Sequence, residues 1–211
     1  MSGAPTGRAL LVFGREPVAG RVKTRLASRL GADRAAAIYV RLLECALRAA
    51  ASVEADVREL WLDEAPSSDG PASLAARHGL RLRVQGPGDL GARMADAFEH
   101  ALRSSAAAVL IGSDCPEFDG AYLEVAFTAL DGHDAVIGPA ADGGYVLIGL
   151  RRPDADLFRG IQWGGPHVLD ATRQRLRGAG LTWHELPVRH DVDEADDLRR
   201  FPWLLTPPPV T

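Results

Sequence analysis

Apolar residues along this chain gather into short runs, separated by longer stretches with helical spacing. Ala9–Gly14 (ALLVFG) is continuously apolar, ends in glycine, and predicts a buried strand. Thr24–Ser52, rich in Ala, Leu and Arg, predicts helix broken at Gly31. A second strand follows at Arg58–Asp63 (RELWLD), then a short helix at Pro71–His78 closed by Gly79. Leu80–Gln85 (LRLRVQ) alternates and predicts a third strand, and Leu90–Arg103 carries Met94, Ala97, Phe98 and Ala101 on one helical face. Ala107–Gly112 predicts the most buried strand, and Gly120–Leu130 a helix that Asp119 is placed to cap. Ala135–Gly138 and Tyr145–Leu150 predict two strands around a Gly-rich turn. Pro166–Arg177 predicts a helix, Leu181–Pro187 a late strand and Glu194–Phe201 a short helix.

Strands alternating with helices predict a three-layer α/β domain with a mostly parallel central sheet. The close pair after residue 134 predicts a small antiparallel insertion near one edge. The chain reads as a single domain over 1–211, with a loose tail from about residue 202, since Pro207-Pro208-Pro209 cannot continue a helix. In such sheets ligands sit beyond the carboxyl ends of the strands. The loops to examine therefore follow Gly14, Gln85, Gly112 and Gly138.

Composition narrows the partners. The 211 residues are 46% hydrophobic, enough for a core without staples, and Lys+Arg 24 against Asp+Glu 28 makes a dedicated nucleic-acid binder unexpected. No apolar run is long enough to span a membrane, and Met1–Arg8 lacks the apolar stretch of a signal peptide, so a cytoplasmic protein is expected. Cys45 and Cys115 lack CxxC spacing, which argues against a disulfide framework or a structural zinc site. Cys115 has no nearby base in the sequence and reads as a small buried residue.

The loop after the first strand, Arg15 to Arg25, holds Arg15, Arg21, Lys23 and Arg25, with Gly14 and Gly20 permitting tight backbone. It leads into a helix N-terminus, where anions are favoured, and a polyphosphate fits it. It is not a Walker A loop, because Arg21 and Val22 separate Gly20 from Lys23. Its bland alternative is a solvated basic loop. Gly86-Pro87-Gly88-Asp89-Leu90-Gly91 matches G-x-G-x-x-G, but on the third strand rather than the first. It reads better as a loop beside a nucleotide base or ribose, with Gly91 in it, than as a dinucleotide site.

Three acids stand out. Asp114, in Ser113-Asp114-Cys115-Pro116 after the strongest strand, suits a ligand for Mg²⁺ or Mn²⁺ bridging phosphates, or else a turn-forming residue. Asp142, in the turn Asp142-Gly143-Gly144, is either an acceptor-side base or an ordinary hairpin residue. Asp193, in His190-Asp191-Val192-Asp193-Glu194, is a second metal ligand, a helix cap, or both. The remaining histidines are scattered without metal spacing.

Taken in order, FGREPVAGRVKTRL, GDLGARM, GSDCPEF, GPAADGGYVLIGL, IQWGGPHVL and DVDEADDL resemble bacterial DUF2064-type proteins over about residues 10–198. That family resembles GT-A-fold glycosyltransferases, one branch being associated with arsenosugar biosynthesis, within the nucleotide-diphospho-sugar transferase superfamily. The resemblance implies a Rossmann-like GT-A fold that binds a nucleoside diphosphate sugar or NTP with Mg²⁺ or Mn²⁺. It places Arg15, Gly20, Lys23 and Arg25 in the phosphate loop, Asp114 at the metal-binding acid, and Asp193, in the VD-x-x-x-DL pattern, at the late second ligand. Arg15 stands where Lys is more usual, Gly165 where Thr is common, and Ser-Asp-Cys-Pro replaces Asp-x-Asp.

The expected activity is transfer of a sugar from a nucleotide-diphospho-sugar to a small acceptor, with Asp142 orienting or deprotonating the acceptor. A nucleotidyltransferase releasing pyrophosphate is the alternative, and the cation-rich loop suits it. A non-catalytic nucleotide-binding protein is the third reading. Joint retention of Lys23, Asp114 and Asp193 argues against it.

Overall fold

A computed structural model describes residues 5–206. Seven strands form one sheet: β1 (Arg8–Gly14), β2 (Val57–Leu62), β3 (Arg81–Val84), β4 (Ala107–Gly112), β5 (Ala135–Pro139), β6 (Tyr145–Leu150) and β7 (Trp183–Glu185). Their spatial order is β3-β2-β1-β4-β6-β5-β7. All run parallel except β6, which is antiparallel to both β4 and β5. A short connection forces that reversal. Ala140 N–H donates to Gly144 O and Gly143 N–H to Ala140 O, so β5 turns directly into β6. The antiparallel pair lies near one edge, with only β7 beyond it, as the sequence pattern predicts.

Strand alternation sorts side chains onto two helical layers. Leu10 and Val12 of β1, and Val109 and Ile111 of β4, face α2 (Ala32–Ala51), α3 (Gly70–Arg77) and α5 (Gly120–Gly132). Ala9, Leu11 and Phe13, with Ala108 and Leu110, face α4 (Leu90–Leu102) and α6 (Val168–Gly178). Each fully buried Leu or Phe contributes roughly 1.5–3 kcal/mol of transfer free energy. Both faces of the central strands are covered, which is why β1 and β4 read as unbroken apolar runs. Asp119 caps α5 as expected, its Oδ1 accepting from Tyr122 N–H at 2.7 Å.

Two expectations near the end of the chain are corrected. The predicted helix at 194–201 is only a 3-10 turn at Asp197–Arg199. Asp197 Oδ2 accepts from the N–H groups of Asp193 and Glu194, so the chain winds around that carboxylate instead of starting an α-helix. The tail expected to be loose from about residue 202 is packed through Thr206. A second 3-10 turn, Pro202–Leu205, buries Leu204 with Phe201 against Ile38 and Leu42 of α2 and Leu26 of α1 (Thr24–Leu30). Arg41 Nη1 donates to Leu204 O at 3.0 Å and also to Thr206 O. The three prolines at 207–209 lie outside the described residues. Among the described residues no helix is long and apolar enough to cross a membrane.

Candidate functional site

The carboxyl ends of β1, β2, β3 and β4 and the start of β6 open into one cleft of ≈ 630 Å³. Arg15, Lys23, Asp63, Gln85, Asp114 and Asp193 are among its walls. Each comes from a loop beyond a strand end or from the late 190s segment, which is hydrogen-bonded to the loop after β4 through Val192 N–H and Asp114 O at 2.9 Å.

Lys23 is the centre of the cation-rich side. Alone among the described non-glycine residues it has a positive φ, 48°, at the entry to α1. That conformation costs about 1–2 kcal/mol for an L-residue. Its side chain is only 5% exposed, and its ammonium lies 2.8 Å from Asp114 Oδ1, whose side chain is 48% exposed. A buried cation is thus held against a carboxylate that still faces solvent.

The other cations are paired as well. Arg25 Nη1 is 2.7 Å from Asp193 Oδ2, Arg15 Nε is 3.4 Å from Asp63 Oδ2, and Arg21 contacts Glu64. The loop itself is stapled by an acid the cation count passes over. The buried Glu16 carboxylate accepts from Ser67 N–H at 2.9 Å and from the Ser67 and Ser68 hydroxyls. The Ser67 N–H, foremost, holds the Glu16 carboxyl below its ordinary value. Arg15 N–H donates to Tyr39 Oη at 2.7 Å, and Tyr39 Oη lies 2.9 Å from Ser113 Oγ, tying this loop to the one after β4. Burial pushes the Tyr39 hydroxyl well up, so it stays protonated.

The opposite side is acidic. Asp142 Oδ1 accepts from Gly144 N–H at 2.9 Å, and the turn is pinned to the late segment by Ala141 N–H to Arg189 O at 3.0 Å. Asp142 and Asp191 line a second cavity of ≈ 650 Å³. Burial pushes the Asp191 carboxyl up, and the Asp142 and Asp114 carboxylates push it further, against a smaller opposing pull from Lys23. Asp191 is thus close enough to both Asp142 and Asp114 to feel their charge.

The positions of the predicted residues can now be compared. Arg15, Lys23, Asp114 and Asp193 line one cleft. Arg25 reaches it through Asp193. Gly20 has φ 82° at the exposed tip of the first loop, a backbone that glycine permits. Gly91 lies outside that cleft, and close packing explains the glycine there. A Cβ there would sit 2.7 Å from Phe158 O and 2.8 Å from Trp163 Cζ2, so glycine lets α4 approach that segment. The G-x-G-x-x-G run is a helix entry, with Asp89 Oδ1 accepting from Ala92 N–H at 2.9 Å. Gly143, with φ 93°, would place a Cβ 2.2 Å from Pro166 O. The hairpin reading of Asp142-Gly143-Gly144 is thus realised in the turn between β5 and β6. Cys45 and Cys115 are free and buried, and burial pushes the Cys115 thiol up to about 12.

Three residues at the site escape the motif reading. Asp191 differs from Asp193 only by facing the other acids, which its spacing does not reveal. Tyr39 lies inside a helix pattern and reads as core. Asp63 carried a usable signal, as an acid at the end of a predicted strand.

Among the described residues no group of three or more His, Cys, Asp or Glu side chains stands ready to hold a metal. The donor chemistry nevertheless fits a hard cation. Asp114, Asp191 and Asp193 offer only carboxylate oxygens, and Mg²⁺ and Mn²⁺ take one or two of these together with phosphate oxygens.

The sheet order and strand-end cleft are those of the GT-A class of nucleotide-diphospho-sugar transferases. The chain belongs to the family DUF2064, "Uncharacterized protein conserved in bacteria", whose model matches residues 46–165. No curated protein matches it. A protein of Desulfovibrio desulfuricans G20, described provisionally as a nucleotide-diphospho-sugar transferase, is 35% identical. Its structure superposes with a TM-score of 0.84 over 92% of this chain and 85% of that one. The glucosyl-3-phosphoglycerate synthase of Mycobacterium tuberculosis, solved with Mn²⁺, UDP and glucosyl-3-phosphoglycerate, is 13% identical. It gives a TM-score of 0.54 over 95% of this chain and 76% of that one. A cytidylyltransferase of Leptospira borgpetersenii, also 13% identical, gives 0.59 over 98% and 99%. The last two share the fold.

Proposed function

We propose that this chain is a metal-assisted glycosyltransferase that moves a sugar from a nucleotide-diphospho-sugar to a small-molecule acceptor. The observation that carries this reading is the Lys23 side chain, 5% exposed with its ammonium 2.8 Å from Asp114, in a cleft at the carboxyl ends of the strands. Lys23, with Arg15 and Arg25 beside it, binds the diphosphate. Asp114 and Asp193, with Asp191 close by, hold Mg²⁺ or Mn²⁺. When bound, the ion neutralises charge on the departing diphosphate. Asp142 orients the acceptor hydroxyl or thiol and takes its proton as the acceptor bonds to the anomeric carbon. The bond from that carbon to the β-phosphate oxygen breaks, and the nucleoside diphosphate leaves with the electron pair. The 35% identical transferase supports the class.

A nucleotidyltransferase is the second reading, favoured by four cations in one loop and by the cytidylyltransferase of shared fold. The two separate by product. The chain is incubated with nucleotide-sugars or NTPs, Mg²⁺ or Mn²⁺ and an acceptor library, and released nucleoside diphosphate and pyrophosphate are assayed separately. Acceptor-dependent nucleoside diphosphate is expected. Pyrophosphate from an NTP, with nothing from any nucleotide-sugar, would replace the first reading with the second. Failure of every nucleotide to raise the melting temperature would remove both.

A further inference from the structure

Two histidines that the chain keeps far apart meet in the fold, away from the cleft. His133 follows the last turn of α5, and His184 is the middle residue of β7. Strands β5 and β7 pair in parallel with Val136 opposite His184, which lays β7 beside the chain as it leaves α5 for β5. The two imidazole centroids are 5.6 Å apart and the rings are tilted by 46°. His133 is half-buried and His184 is exposed, so water and ions reach both. Neither residue lines the cleft that holds Lys23 and Asp114.

The ring nitrogens are prepared for ligation. Ala129 O, which can only accept, lies 3.0 Å from His133 Nδ1, so that nitrogen carries the proton and donates it. His133 Nε2 is left with its lone pair. A backbone carbonyl that fixes tautomer and ring orientation in this way is the usual outer partner of a metal-binding histidine. His184, being exposed, can turn either nitrogen toward its neighbour.

Spacing and charge both suit a shared ion. A Zn–N bond of about 2.0–2.1 Å puts the ion about 3.2 Å from an imidazole centroid, and two imidazoles at a tetrahedral angle then hold their centroids about 5.2 Å apart. A small turn of either side chain closes the difference from the observed separation. The pair sits at the C-terminal end of the 13-residue α5, where helix carbonyls favour a cation, and the last turn carries Asp131 and no basic residue. The neighbouring Asp134 carboxylate is spent on the Thr182 N–H and hydroxyl, both at 2.9 Å, and faces Arg152. The ligands the protein offers here are therefore two imidazole nitrogens, with water to complete the shell.

We propose that His133 and His184 form a surface site for a divalent transition ion, Zn²⁺, Ni²⁺ or Cu²⁺. Imidazole suits these ions, whereas Mg²⁺ and Mn²⁺ favour the carboxylate oxygens of the cleft. A bound ion clips β7, a three-residue strand at the sheet edge, to the end of α5. This site stands whether or not the cleft takes a nucleotide.

Calorimetric titration of the untagged chain with Zn²⁺, in excess Mg²⁺ to occupy the cleft carboxylates, tests this. One saturable equivalent is expected. His184→Phe keeps a ring against His133 but has no ligand nitrogen. His133→Asn keeps an amide N–H for Ala129 O in place of Nδ1–H and removes Nε2. Losing a ligand costs at least as much as losing its outer hydrogen bond, so each variant should weaken that equivalent by about tenfold or more. Zn²⁺ should raise the melting temperature of the wild type and of neither variant. An isotherm with no saturable equivalent, or one that survives either variant, would overturn the assignment. Melting temperatures taken without Zn²⁺ show whether each variant is folded, and because the two changes lie on different elements, a defect in one leaves the other to decide.

Discussion

The two sides of the site handle charge in opposite ways. On the first-loop side each of the four cations is matched: Lys23 by Asp114, Arg25 by Asp193, Arg15 by Asp63 and Arg21 by Glu64. On the far side Asp142 and Asp191 have no ion-pair partner among the described residues, and Asp191 titrates upward because of burial and its acidic neighbours. The first side is a set of ion pairs that an arriving diphosphate can re-partner, its oxygens replacing carboxylates on the cations. The second sets like charges near one another around Asp191, in a cavity that Arg199 and Arg200 also line. The first side suits a ligand's anionic oxygens and the divalent ion proposed for Asp114 and Asp193, and the second suits the acceptor proposed for Asp142.

Changes that break this contrast can be ranked by expected effect. The largest is Asp142→Asn, which keeps the shape of the acid side but removes its proton acceptor. Turnover should fall by about 10²–10⁴, while nucleotide affinity by calorimetry barely moves. Parallel losses in both would show Asp142 to be a binding residue.

Lys23→Ala comes next. It removes the buried ammonium and strands Asp114, so nucleoside diphosphate affinity should drop by an amount worth about 2–5 kcal/mol. Titration of wild type and variant with UDP or GDP checks this, and an unchanged dissociation constant would contradict the phosphate-side assignment.

Gly143→Ala tests how rigidly the acid side is held. Both the positive φ and the contact with Pro166 O oppose a methyl group. A loss of about 1–3 kcal/mol is expected from chemical denaturation. If stability is lost and turnover falls further than nucleotide affinity, the turn positions Asp142.

The smallest effect sharpens the first side. The Glu16 carboxyl is held below its ordinary value of 4.5 in the folded chain, so its contribution is complete above that value and disappears as pH falls through the lowered one. Glu16→Gln should lower the melting temperature modestly near neutral pH. The gap to wild type should narrow as pH falls through the lowered Glu16 value, below which both carry a neutral side chain. A gap independent of pH would mean that the amide, not the lost charge, disturbs the loop.

Much of the architecture was legible because it follows from local periodicity. The unbroken apolar runs at 9–14 and 107–112 could only be strands covered on both faces. Gly31 divides two helices where the pattern broke, and Asp119 caps where a cap was expected. The turn at 140–144 was too short for anything but an antiparallel return. The final helix was misread because Asp197 competes for the Asp193 and Glu194 N–H groups, an interaction that helical periodicity does not encode. The tail from 202 was misread because Leu204 looks like any single apolar residue until the α1–α2 surface is present to receive it.

The site divides along the same line. By itself the sequence determined the residue types available: a cation-bearing loop after the first strand, acids after the fourth and fifth, and an acidic segment near the end. Side-chain chemistry and position relative to strand ends are local properties, and the chain order carries them. Only the tertiary structure decided the pairings, across separations of up to 168 residues between Arg25 and Asp193. It packed Gly91 against Phe158 and Trp163, brought Asp191 within electrostatic reach of Asp142 and Asp114, and left Asp63 Oδ1 buried without a donor among the described residues. Those outcomes depend on burial and on distances between segments remote in sequence, and these exist only once the sheet has ordered its strands and set their ends side by side.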